Sequence, residues 1–96
     1  MEILVTYDVA TDSAAGRRRL RRVAKACEAF GQRVQKSVFE CTLGEADLEK
    51  LKHRLEREMN PKEDSLRFYR LLEPRERYLQ TMGVQPVFDM HDPLVV

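Results

Sequence analysis

Ninety-six residues allow one domain with a modest core, so a partner chain would add useful buried surface. Hydrophobic residues at 43% and charged residues at 34% exclude a disordered chain. A formal net charge of +1 excludes a uniform polycation, so any attraction to a polyanion must come from uneven placement of charge.

The chain opens on MEILVTYD, which has no basic leader. Its apolar run is too short for a signal peptide or a membrane span, so a cytoplasmic protein with no membrane contact is expected. Glu2 to Tyr7 is β-branched and apolar, which predicts a buried strand. Ile3, Val5 and Tyr7 share one face, and Leu4, Thr6 and Asp8 share the other. Thr11-Asp12-Ser13 offers helix caps. Leu20, Val23, Ala24, Cys27 and Phe30 then recur at helical spacing, and Gly31 is expected to end that helix as a left-handed cap.

Arg33–Gln35 and Val38–Leu43 read as two short strands joined tightly around Lys36-Ser37. Glu45 to Met59 predicts a second amphipathic helix, with Leu48, Leu51 and Leu55 inward, stopped by Asn60-Pro61. Ser65 to Leu72 predicts another strand, with Leu66, Phe68 and Leu72 alternating against Arg67, Tyr69 and Leu71. The order is β-α-β-β-α-β, the α+β ferredoxin-like pattern of an antiparallel sheet with both helices on one face. The other face would be bare and apolar, which invites a two-fold homodimer. Pro74 marks the boundary between a domain of residues 1–74 and a tail of residues 75–96. The apolar end of the tail, Pro93 to Val96, is expected to dock as an extra strand on the partner subunit.

Charge is segregated along this layout. Between Gly16 and Lys36 stand Arg17, Arg18, Arg19, Arg21, Arg22, Lys25, Arg33 and Lys36, against the single acid Glu28. Glu45, Asp47, Glu49, Glu56, Glu58, Glu63 and Asp64 follow later. Arg18, Arg21, Arg22 and Lys25 fall opposite the apolar stripe of the first helix, with Arg17 and Arg19 on its borders. A solvated face and a phosphate-binding face both fit this placement. No acids at i,i+4 balance the row, and the helix dipole disfavours cations in the first turn, which favours an anionic partner. Guanidinium forks suit phosphate.

Asp8 fits either a loop cap or a metal ligand. One carboxylate is too few for magnesium, but near a two-fold axis it would occur twice, and the ion could then activate a water. Ser37 reads as a turn hydroxyl or a site residue. Tyr7 and Phe39 read as core, with stacking on bases the alternative. His53 and His91 lack triad partners. Cys27 and Cys41 lack CxxC spacing and read as small core residues.

Tyr7-Asp8-Val9, Gly16-Arg17-Arg18-Arg19-Leu20 and Arg33-Val34-Gln35-Lys36-Ser37-Val38-Phe39-Glu40 occur in that order over the first half of the chain. With these motifs the chain resembles the CRISPR-associated "Cas two" family, the small partner of the Cas one integrase. The resemblance implies a ferredoxin-like homodimer whose C-terminal strand crosses to the other subunit. It implies a magnesium-dependent endonuclease, with manganese as an alternative ion, acting on single-stranded RNA or double-stranded DNA. Asp8 carries over as metal ligand and catalytic residue, with Tyr7 and Ser37 beside it. Arg17, Arg19, Arg33 and Phe39 carry over as positions tied to activity or nucleic-acid contact, joined by Arg18, Arg21 and Arg22 from the charge pattern. The resemblance implies further that in spacer acquisition the dimer bridges two Cas one dimers, where its nuclease site can be dispensable. The alternative is therefore a non-catalytic DNA-binding scaffold.

Overall fold

Alternation of apolar and polar residues puts a strand, β1, at Glu2–Asp8, with Ile3, Val5 and Tyr7 buried beneath the helices. The computed structural model describes residues 1–72 and 74–85. After β1 come α1 (Ala14–Glu28), β2 (Gln32–Gln35), β3 (Val38–Thr42), α2 (Glu45–Glu58), β4 (Ser65–Leu71) and a single helical turn, α3 (Arg75–Tyr78). The strands form a four-stranded sheet in the order β2-β3-β1-β4, with every adjacent pair antiparallel.

One core lies between the sheet and the helices. β1 gives Ile3, Val5 and Tyr7, and β3 gives Phe39 and Cys41. α1 gives Val23, Ala24, Ala26 and Cys27, and α2 gives Leu51 and Leu55. All the strand residues in this set share one parity, so both helices cover the same face, as the periodicity predicts. Among the described residues no helix is long and apolar enough to cross a membrane.

Local chemistry sets the helix ends. Ser13 caps α1 by accepting from the Gly16 N–H at 3.0 Å. Glu45 and Asp47 in the first turn of α2 complement its dipole. The expected left-handed cap at Gly31 is corrected. Among the described residues positive φ occurs only at Gly83 (77°), and α1 ends through Ala29 in right-handed geometry. Gly31 is glycine for space: a Cβ there would collide with the Cys41 Sγ and the Glu40 carbonyl oxygen.

Two further expectations change. Leu72 is 87% exposed beyond the end of β4, and Arg70 is the residue that continues the Leu66/Phe68 parity. The helix-free face is mixed rather than apolar. Leu4, Val38, Tyr69 and Leu71 share it with Glu2, Glu40, Thr42 and Arg67. α3 reaches this face, because Arg75 pairs with Glu40 at 2.9 Å. Tyr78 lies close to the same face, and burial, then Glu2 and Glu40, push its phenol up. Pro93–Val96 and His91 lie outside the described residues.

Candidate active site and basic helix face

Asp8 is the last residue of β1. Its parity puts it on the helix-free face, where it is exposed and in register with the exposed Ser65 of β4. Two pairs inward, on the same face, Thr6 faces Arg67, whose Nη1 donates to the Tyr69 hydroxyl at 3.0 Å. On the other flank the Ser37 carbonyl accepts from the Tyr7 N–H at 3.1 Å, which holds the β2–β3 turn beside the end of β1. Asp8, Ser37 and Ser65 therefore gather at one end of the sheet.

Tyr7, named in the sequence analysis beside Asp8, does not join them, because its parity turns it to the other face. Its ring is buried on the helix side, stacked against Phe39 with centroids 6.2 Å apart. Its hydroxyl donates to the Lys36 carbonyl at 3.3 Å. Burial, opposed by nearby Arg33, pushes its phenol up to about 12.

Phe39 is fully buried (0%) beneath the helices and presents no exposed surface to stack on a base. Arg33 is likewise only 4% exposed. Its Nη1 donates to the Lys36 carbonyl at 3.1 Å, its Nη2 reaches Glu28 at 3.3 Å, and its guanidinium lies 5.1 Å from the Phe39 ring centre. Arg33 braces the Lys36-Ser37 turn from inside, with its guanidinium turned to partners within the chain. Arg19 is also engaged, by Asp64 and Glu63 from the α2–β4 turn.

Arg18, Arg21, Arg22 and Lys25 are exposed on the side of α1 away from the sheet, as the periodicity predicts. Arg17 is exposed too, with Nη1 3.3 Å from the Thr11 carbonyl oxygen. This row and Asp8 lie on opposite sides of the sheet, so one chain offers two separate surfaces rather than one cleft.

The family model for CRISPR associated protein Cas2 matches residues 1–78, which include Asp8, the basic helix and the β2–β3 turn. The chain belongs to the Cas2 family. It is similar to the CRISPR-associated endoribonuclease Cas2 1 of Moorella thermoacetica, with 56% identity over 100% of both chains. It is similar also to the CRISPR-associated endonuclease Cas2 of Halalkalibacterium halodurans, with 46% identity over 99% of each. The crystal structure of Streptococcus pyogenes Cas2 at pH 6.5 superposes with a TM-score of 0.78 at 52% identity, covering 86% of this chain and all of that one.

The magnesium ion expected for this Cas2 chain needs several oxygen ligands. Among the described residues no group of three His, Cys, Asp or Glu side chains converges. Asp8 by itself offers too few oxygen donors for such an ion.

The sequence reading missed Asp64, Ser65 and Arg67. Asp64 stands in the sequence simply as one of the acids that follow the basic stretch, yet its side chain is 0% exposed. Its Oδ1 accepts from the Ala10 N–H at 3.1 Å, and its Oδ2 accepts from the Asn60 N–H and from the Arg19 Nε, each at 2.8 Å. Burial pushes its carboxyl up, but Arg19 and the two backbone N–H groups outweigh that, and it is held below its usual value. The one signal available in sequence is position. Asp64 precedes β4, and an antiparallel β4 must begin where β1 ends.

Proposed function

We propose that the chain acts as a homodimer that hydrolyses phosphodiester bonds in single-stranded RNA or double-stranded DNA, as a metal-dependent endonuclease of CRISPR spacer acquisition alongside the Cas one integrase. A ferredoxin-like dimer paired through the helix-free face would bring two Asp8 residues toward one axis. The observation that carries the reading is the exposed Asp8 carboxylate at the end of β1, on a helix-free face, in a family whose relatives are named endoribonucleases and endonucleases.

The Asp8 carboxylates of two chains would hold a magnesium or manganese ion, whose contribution is to lower the pKa of a bound water and neutralise phosphate charge. The chain's own groups do the rest. The Ser37 and Ser65 hydroxyls, on either flank of Asp8, can donate to phosphate oxygens and orient the backbone. The exposed α1 arginines hold the polyanion without reading its sequence.

The test is cleavage of duplex DNA and single-stranded RNA across a magnesium and manganese titration. Asp8→Asn is expected to reduce cleavage to background while the fold and nucleic-acid binding persist, because Asp8 carries no packing. An Asp8→Asn protein that cleaves as fast as the parent rules the reading out.

A second reading, the non-catalytic scaffold, is favoured by the separation of the basic row from Asp8. Such a scaffold would grip a duplex along α1 with no use of the acid. It requires that spacer acquisition survive Asp8→Asn.

A further inference from the structure

The peptide that follows Asp8 is held from two sides. Its Ala10 N–H is bound by the buried Asp64 carboxylate at 3.1 Å. The Ala10 carbonyl oxygen lies so close to Gly16 that a Cβ on Gly16 would collide with it. Asp64 is in turn fastened to α1 through Arg19, with the Arg19 Nε at 2.8 Å from Oδ2 and Nη2 at 3.3 Å from Oδ1. The same carboxylate takes the Asn60 N–H, and Arg19 Nη2 also reaches Glu63 at 3.0 Å. Gly16 and Arg19 are three residues apart on one helix face, so a single turn of α1 supplies both the space and the charge for this seat.

We propose that Gly16, Arg19 and Asp64 form a positioning unit that fixes the end of β1 and so aims the Asp8 carboxylate, with Arg19 acting through Asp64 rather than through phosphate. This rests on the proposed role of Asp8. The chemistry is that of a carboxylate using its lone pairs on two backbone donors and one fork of a guanidinium. Buried at 0%, it leaves those donors no water to turn to when it is removed. A shared ion between two chains would tolerate little wander in its ligands, because a misplacement of about 1 Å costs on the order of 100-fold in rate.

The experiment compares Arg19→Gln, Arg19→Lys and Asp64→Asn with the parent by three readouts: amide hydrogen exchange at Ala10, kcat and KM for cleavage, and duplex-DNA affinity against salt. Exchange at Ala10 is expected to rise about tenfold or more in Asp64→Asn and Arg19→Gln, relative to amides at the centre of β1. The value of kcat is expected to fall about tenfold or more with KM nearly constant. The salt slope of binding should keep its parental value, and Arg19→Lys should recover part of both losses.

A phosphate-contacting Arg19 makes the opposite forecast. Arg19→Gln would then lower affinity and reduce the salt slope by about one, while Ala10 exchange stayed parental and Asp64→Asn cleaved normally. That result overturns the proposal. Should Asp64→Asn fail to fold, the two Arg19 variants decide the matter alone. If the parent shows no Asp8-dependent cleavage, the catalytic reading fails by itself, and the Ala10 exchange still decides whether the unit seats the strand.

Discussion

Tyr7 and Asp8 are consecutive in the chain and face opposite sides of the sheet, because a strand turns its side chains over at every residue. One closes the core against Phe39, and the other stands in solvent beside Ser65. Replacing Tyr7 by Phe removes only the hydroxyl that donates to the Lys36 carbonyl, an oxygen that Arg33 Nη1 also serves. We expect Tyr7→Phe to cost about 1 kcal/mol in urea unfolding and to leave the cleavage rate within a factor of about two of the parent. A large loss of cleavage with unchanged stability would restore Tyr7 to the chemistry. Period-two alternation already assigns these faces in the sequence. The fate of Arg33 is not legible there. An arginine in a short strand reads as exposed until the Lys36 carbonyl, Glu28 and the Phe39 ring are known to surround it.

At the scale of one element, α1 divides its cations by angle. Val23, Ala24, Ala26 and Cys27 face the core, and Arg18, Arg21, Arg22 and Lys25 point away from it. Among the described residues none of these four pairs with an acid, whereas Arg19, at the border of the stripe, is drawn to Asp64 and Glu63. The outward set and Arg17 are the exposed cations of α1. Changing Arg18, Arg21 and Arg22 together to Glu is expected to weaken duplex-DNA binding and to lower the slope of log affinity against log salt by about three. Filter binding or anisotropy at several salt concentrations measures it, and an unaltered slope would show that the duplex is held elsewhere. Stability should change little, since these side chains bury nothing. The helix, its apolar stripe and its outward arginines are legible from spacing alone. The exception of Arg19 is not, because its partners lie 44 and 45 residues away.

At the scale of the whole molecule, the antiparallel pairing of β1 with β4 sets Asp8 opposite Ser65 and so brings Asp64 to the β1–α1 connection. One buried carboxylate thereby joins β1, α1 and the α2–β4 turn. Its carboxyl is held below the usual aspartate value: burial alone would raise it, and Arg19 with the Asn60 and Ala10 N–H groups overcomes that. A depressed pKa in the fold stabilises the protein above the unfolded-state value of about 4, and that contribution is lost as pH falls further through the folded-state pKa. The melting temperature should therefore decline as pH falls below about 4, and Asp64→Asn should remove part of that decline. Parallel pH curves for the parent and Asp64→Asn would show that the carboxylate contributes no linkage.

Local information settled the order β-α-β-β-α-β, the parity of each strand, the inward stripe of each helix and, through three short motifs, the family. All of these depend on residues close in the chain, where period and steric preference act. The tertiary structure alone decided which charges are free. It buried Arg33, gave Gly31 a neighbour in place of a left-handed cap, and made Asp64 an anchor. Ion pairs and close contacts between distant segments depend on strand register, and register emerges only when the sheet has closed over its core.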